Sequence, residues 1–298
     1  MRFQLKMIAA VSGLALTTGL AHAADVPTTP EVDPTANTVE TVIVTGEKSS
    51  RGLQDTTTSV AVTTARMIER EHLQTFFDVV NRTANMSDTY GKSGFTIRGV
   101  SNTNVSGGGS SGLATIYVDG AALPEGAAFS GPLEMWDIGQ VEVLRGPQST
   151  LQGRNALAGA VIIRSADPTF TYGFKARAEA ASGDERSIAF AGGGPIIANQ
   201  LAFRLAVEDK SADGFIYNPT RHEDAARYDN LSVRGKLLLT PTALPGLKAL
   251  ATYSHNKRES GYVYTYSRTD TPDPFEHRID LSGDPQRSDS KVDIFTLD

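Results

Sequence analysis

From Phe174 onward, hydrophobic and polar side chains alternate with a period of two. "FKARAEAAS" places Phe174, Ala176, Ala178 and Ala180 on one face and Lys175, Arg177 and Glu179 on the other. "LAFRLAVED" sets Leu201, Phe203, Leu205 and Val207 against Arg204 and Glu208, and "LSVRGKLLLT" sets Leu231, Val233, Leu237 and Leu239 against Arg234 and Lys236. "LKALATYSHN" and "SKVDIFTLD" follow in the same manner. Successive side chains of a strand point to opposite sides of its sheet, so each segment predicts a strand with one apolar and one charged face. The connections alternate between short (Ala198-Asn199-Gln200) and long ("KSADGFIYNPTRHEDAARYDN"). A soluble β-sandwich alternates equally well. Charged residues along a whole face, opposite small and apolar ones, point instead to antiparallel transmembrane β-barrel strands.

Before residue 170 the pattern is mixed. "TTTSVAVT", "GFTIRGVS", "LATIYVDGAAL", "DIGQVEVLRGP" and "AVIIRS" read as strands with turns, and "TARMIEREHL" reads as a helix. Thr75 followed by Asp78 predicts a capping box that opens a second helix carrying Phe76, Val79 and Val80. Gly146, Pro147 and Gly153 have the punctuation of a further short helix. The expectation is a mixed α/β domain over residues 50–168, followed by barrel strands over 170–298.

The extreme N-terminus changes the setting. "MRFQLKMIAAVSGLALTTGLAHA" has Arg2 and Lys6, an apolar run and a small-x-small end, which predicts a signal peptide over 1–23, cleaved after Ala23. The apolar run is too short to span a bilayer, which takes roughly 20 residues. Residues 24–40 are rich in proline and poor in large apolar side chains, as expected of a flexible linker. An exported chain without a spanning helix reaches an outer membrane only as a barrel, because every backbone polar group in lipid needs a partner. The composition adds exclusions. Lys+Arg number 28 against 34 Asp+Glu, so no basic face is expected for nucleic acid. There is no cysteine, so disulfides, thiolate catalysis and cysteine-held metals are excluded.

Several motifs fail on context. Gly107-x-Gly109-x-x-Gly112 and Gly108-x-Ser110-x-Gly112 mimic a dinucleotide fingerprint and a nucleophile elbow, but the strand follows them instead of preceding them. Gly91-Lys92-Ser93 lacks the upstream glycine of a phosphate loop. His72, His222, His255 and His277 have no metal-like spacing and are expected at the surface. Trp136 is expected in the core, and Asp119-Gly120 in a turn. No catalytic, metal or cofactor site is expected. "TVIVTG", Thr41 to Gly46, is a lone β-branched run; from position alone it suits equally the first strand of a domain or a strand offered to a partner sheet.

Taken in order, the signal peptide, "TVIVTG", "LQDTTTSVAV", "FTIRGVS", "ATIYVDG", "VEVLRGPQSTLQGRNALAGAVIIRSADPT" and the alternating strands resemble a TonB-dependent outer-membrane receptor. The resemblance is detailed to about residue 170 and one of pattern beyond it. It implies a plug domain inside a barrel of about 22 strands, the size class with a plugged lumen. It implies that Thr41, Val42, Ile43, Val44, Thr45 and Gly46 form a TonB box, to which the energy-transducing partner TonB adds as a strand from the periplasm. It further implies that Arg98, Gly99, Arg145, Gly146 and Pro147 join plug to barrel wall, each arginine meeting an inward-facing carboxylate. Arg154 and Arg164 are weaker candidates for the same role, and the carboxylate partners are expected on strands absent from this chain. The loop from Asn102 to Gly112 would touch ligand through Asn102, Asn104, Ser106, Ser110 and Ser111. The implied function is energy-coupled uptake across the cell outer membrane of a small-molecule ligand, a ferric siderophore first, then cobalamin or oligosaccharides.

The departure is the barrel. About 130 residues after the plug supply roughly five to seven strands, a sheet that cannot close, and open edges are not tolerated in lipid. The chain also ends on "FTLD" and not on an aromatic residue. The expectation is therefore part of a longer protein, which by itself neither inserts nor transports. The rival readings are a soluble plug-type binding module and a secreted hydrolase using Ser110.

Overall fold

The computed structural model describes residues 43, 44, 46, 51–56, 58–89, 94–102, 112–124, 133–148, 156–261, 267, 268, 278–284 and 287–298. The expected signal peptide and linker, and positions Thr41, Val42, Thr45, Asn104, Ser106, Ser110, Ser111, Arg154 and His277, lie outside them, as does the helix expected after Pro147. Residues 41–298 pack as one unit.

The N-terminal domain begins with a two-stranded ribbon, β1 (Ile43–Val44) against β2 (Arg51–Gly52). Strand β3 (Val60–Thr64) runs into helix α1 (Ala65–Arg70), where the Thr64 hydroxyl accepts the Met67 N–H at 3.4 Å. Helix α2 (Phe76–Arg82) starts as its sequence requires: the Asp78 carboxylate reaches back to the N–H groups of Thr75 at 2.8 Å and Gln74 at 3.0 Å. These donors have no partner inside a helix, so the carboxylate both satisfies them and sits well in the helix dipole. A small sheet follows, β4 (Met86–Thr89), β5 (Gly94–Ile97) and β6 (Val100–Ser101).

The main domain sheet is completed by β7 (Ala114–Val118), β8 (Ala121–Ala122), β9 (Ile138–Arg145) and β10 (Gly159–Ser165), in the order β3-β9-β10-β7-β8. Only β10 and β7 run parallel. Both helices contribute to the core: Ile68, Phe76, Phe77, Val79 and Val80 pack with Ile116, Val118, Val141, Val143, Val161 and Ile163. Gly159 has φ +154°, and a Cβ there would stand 2.3 Å from the Leu144 carbonyl oxygen. That neighbour is backbone in a paired strand and cannot give way. Gly159→Ala is therefore expected to cost about 2 kcal/mol or more of domain stability, read as a lower denaturation midpoint.

The second half is an antiparallel sheet, β11 (Gly173–Ala181), β12 (Glu185–Ile197), β13 (Leu201–Ala212), β16 (Tyr228–Leu239), β17 (Ala249–Gly261) and β20 (Arg287–Leu297). The period-two reading carries over residue by residue. Phe174, Ile188, Leu205, Leu231, Leu237 and Phe295 are exposed on one face, whereas Glu208, Lys210, Arg234 and Lys236 are buried on the other. Among the described residues β11 and β20 each pair on one side only, so this wall does not close. The expected long connection carries β14 (Ile216–Asn218) and β15 (Glu223–Asp224), which join β18 (Ser267–Arg268) and β19 (Arg278–Ile279) in a four-stranded cap. No helix among the described residues is long and apolar enough to cross a membrane.

Candidate functional site

The buried charges of the wall face the N-terminal domain across a polar junction. Its centre is Asp137, in the turn ahead of β9. It has φ +56° and is 2% exposed. Arg204 of β13 donates from Nε to Asp137 Oδ2 at 2.7 Å and from Nη2 to Oδ1. Lys175 of β11 lies 3.5 Å from the same carboxylate and donates to Glu69 of α1 at 2.7 Å. Lys175 Nζ and the Arg177 guanidinium stand 4.9 and 5.0 Å from the centre of the Trp136 ring, whose Nε1–H donates to the Phe190 carbonyl at 3.1 Å. Trp136 is thus half-buried between domain and wall and not in the core, because its indole N–H and its π face both find partners on the wall.

A second cluster surrounds Asp119 in the turn between β7 and β8. The expected turn is there, with φ +45° at Asp119 and +85° at Gly120. Its aspartate is nonetheless buried and accepts the Ser165 N–H at 2.9 Å and hydroxyl at 2.8 Å. Lys236 of β16 approaches Asp119 at 3.2 Å, donates to Asp167 at 2.9 Å and to the Ser165 carbonyl at 3.0 Å. Arg234 stands 3.9 Å from Asp119 and 3.5 Å from the Trp136 carbonyl. Burial pushes the Asp119 carboxyl up, but Lys236, Arg234 and the Ser165 hydrogen bonds outweigh it and hold it below its ordinary value. A depressed carboxylate adds stability above its unfolded value and loses it as pH falls through the folded one. Acidification below the ordinary value of 3.8 should therefore loosen the junction, and Asp119→Asn should weaken it already at neutral pH. Amide exchange of residues 159–165 against pH checks both.

Among the described residues, the ion pairs across the junction run from acids on the domain to bases on the wall. Glu69, Asp119, Glu134, Asp137 and Asp167 on the domain meet Lys175, Arg204, Arg234, Lys236 and Arg258 on the wall. The expected contacts of Arg98 and Arg145 were with carboxylates on strands outside this chain, and the six-stranded wall does not supply them. Arg98 is instead exposed in a left-handed turn beside Gly146, and Arg145 donates to the Ala84 carbonyl at 3.3 Å within its own domain. Gly99 (φ +78°) and Gly146 (φ +109°) serve backbone geometry, and Pro147 is exposed. The inward-facing wall carboxylates Glu179 and Glu208 are engaged by Arg177 of the same sheet.

Of the expected ligand loop, Asn102 is 3% exposed. Its Oδ1 accepts the Phe95 N–H at 2.8 Å, which makes it the anchor of the loop's base. Of the terminal segment, Val44 is buried, the Ile43 carbonyl accepts from Gln140 Nε2 at 2.8 Å, and the Gly46 N–H donates to Glu142 Oε2 at 2.8 Å. Gly46 also lines a recess of about 460 Å³ together with Tyr117, Asp119, Arg164 and Lys236, so terminal segment and ionic clamp share one cavity. His72 and His222 are exposed and His255 is partly so, paired with Asp293 at 2.8 Å. Among the described residues, no three His, Asp or Glu side chains converge as metal ligands.

Residues 52–160 match the family described as the TonB-dependent receptor plug domain. The ferrioxamine B receptor of Salmonella typhimurium strain LT2 is 27% identical over 236 residues, which are 74% of this chain and 31% of that protein. The chain thus spans about a third of the length of the curated relatives it matches. Among solved structures, the ferric yersiniabactin uptake receptor FyuA of Yersinia pestis superposes with a TM-score of 0.61 at 22% identity, over 68% of this chain and 32% of that one. The alcaligin outer-membrane receptor FauA of Bordetella pertussis gives a TM-score of 0.61 at 15% identity, over 86% and 38%.

Proposed function

We propose that the chain, whose residues 52–160 match the TonB-dependent receptor plug domain, is part of a TonB-dependent receptor that serves energy-coupled import across the outer membrane, with no bond chemistry, and that its cargo is a ferric siderophore. The observation that carries the reading is the single-sign clamp. A folded plug is held against the inner face of the wall by buried, directional ion pairs, with an apolar contact from Ile294 and Val292 of β20 to the plug core beside them. Such contacts hold orientation firmly, yet water can take over each partner once the plug shifts. Residues 41–46 are the proposed TonB box. A partner strand added there would pull on Gly46, which lines the same recess as Asp119 and Lys236. Force on the box is thereby delivered next to the clamp. The ligand-facing role falls to Asn104, Ser106, Ser110 and Ser111, with Asn102 fixing the base of their loop. The name of the Salmonella relative makes ferrioxamine B the first ligand to try.

The test is accumulation of iron-labelled ferrioxamine B by cells that express the full-length protein as their only candidate receptor. Uptake above the empty-vector level, lost when the inner membrane is de-energised, is the expected result. Uptake of cobalamin but of no ferric chelate would move the cargo to another class. Recovery of the protein in the periplasm would refute import altogether.

A further inference from the structure

One carboxylate at the junction has only a distant cation and, among the described residues, one oxygen without a hydrogen-bond partner. The segment Leu133–Met135 is strapped to the turn before α2: the Phe76 N–H donates to the Leu133 carbonyl at 2.7 Å and the Met135 N–H to the Gln74 carbonyl at 2.8 Å. This holds the Glu134 side chain at the wall, where it is 6% exposed. Oε1 comes no closer than 3.8 Å to Arg258 Nη1 of β17, and Oε2 has no hydrogen-bond partner among the described residues. Glu208 of β13 is 1% exposed; its Oε1 accepts from Arg177 at 2.6 Å and Ser187 at 3.4 Å, while its Oε2 has no partner among the described residues.

The groups facing Glu134 come from the whole wall. They are Glu208 and Lys210 of β13, Arg258 of β17, Glu185 of β12 and Tyr228 of β16, with Arg177 and Glu179 of β11 just behind. Lys210 is already held by Glu185 at 3.0 Å and by Gln74 at 2.7 Å, and Glu179 accepts from Gln74 at 3.1 Å. Among the described residues, four acids (Glu134, Glu179, Glu185, Glu208) therefore stand against three cations (Arg177, Lys210, Arg258). A buried carboxylate that lacks both a full ion pair and hydrogen bonds relieves its charge by taking up a proton.

We propose that Glu134 and Glu208 form a proton-binding site across the plug–wall junction, which holds one proton while the plug is seated and releases it when the plug moves away. The proton is carried on Glu134. When water enters, the O–H bond breaks, the electron pair stays on the carboxylate and the proton passes to lumen water. The proposal rests on the packing of plug against wall, and not on import or on any ligand. Burial first, then the Glu208 charge, push the Glu134 pKa up to about 7, against the pull of Lys210 and Arg258. A raised carboxyl binds its proton more tightly in the seated state. Seating is therefore favoured on the acid side and weakens as pH rises from the ordinary value of 4.5 to about 7.

The test uses the full-length protein and the variant Glu134→Gln, whose neutral amide stands in for the protonated carboxyl. Infrared spectra should contain a protonated-carboxyl band that titrates near neutrality and is missing from Glu134→Gln. Exchange protection of residues 133–138, corrected for intrinsic rates, should fall by up to about tenfold per pH unit across that window in the parent. In Glu134→Gln it should stay flat at the parent's acid level. Glu208→Gln should lower the midpoint of the infrared band. Absence of the band, a pH slope kept in Glu134→Gln, or a midpoint unmoved by Glu208→Gln would each overturn the proposal.

Discussion

Replacing Asp137 with alanine is expected to loosen the plug more than any other single change at the junction. The carboxylate is 2% exposed and takes two parallel hydrogen bonds from Arg204, with Lys175 3.5 Å away. Its removal strands the largely buried Arg204 guanidinium, while the partly exposed Lys175 keeps Glu69. The loss of one partner of a buried pair costs about 3 kcal/mol or more, most of it from the stranded charge. Asp137→Asn keeps the shape and one acceptor and should cost less. The double variant Asp137→Ala/Arg204→Met should recover part of the loss, because no charge is then left uncompensated at that point. Denaturant midpoints of the full-length protein, together with exchange of residues 138–145, read these differences. Equal effects for the single and double variants would mean that Asp137 acts through its backbone turn and not through the pair.

The second large effect is expected at the box. Strand addition draws on backbone donors, which alternate in direction along an extended chain, so of Ile43 and Val44 one presents its N–H to the partner. Proline removes that donor and restricts φ. The cost of about 3 kcal/mol corresponds to roughly a hundredfold loss in pairing. Either Ile43→Pro or Val44→Pro should abolish energised uptake while ligand binding at the cell surface persists, and Ile43→Val should be silent. The proposed box is also docked here, with Val44 buried and Ile43 and Gly46 held by Gln140 and Glu142. The proline variants should therefore also raise the protease sensitivity of the segment. Loss of surface binding together with uptake would show that the change had damaged the plug itself.

Much of this architecture was legible in the residues. The alternation of Lys175, Arg177 and Glu179 with alanines fixes the inward face of β11, because period-two geometry leaves no freedom once one face meets lipid. Thr75 and Asp78 announce α2 because unpaired amides at a helix start demand an acceptor. The sign of the clamp was also within reach. Lys175, Arg204, Arg234 and Lys236 lie on inward positions, and that excess of buried cations calls for acids on whatever fills the lumen. What alternation does not give is the partner. Asp119 precedes a glycine and reads as a solvent turn. Its burial depends on β16 returning across it from more than a hundred residues away. Trp136 reads as core for the same reason, since nothing local reveals that Lys175 and Arg177 will lie over its ring. The docked box was open from position alone, because a β-branched run pairs equally well with its own chain or with another.

The central claim is that the plug–wall junction opens during energised import and is otherwise shut. These 298 residues contain no cysteine, so one placed at Ser165, which is 3% exposed and bound to Asp119, gives a clean probe in a full-length protein freed of any other cysteine. The measurement is labelling of Ser165→Cys by a small maleimide in cells, with and without ferric chelate and with and without an energised inner membrane. Labelling only when ligand and energy are both present is the predicted result. Equal labelling without energy, or continued uptake with no labelling at all, would contradict the account.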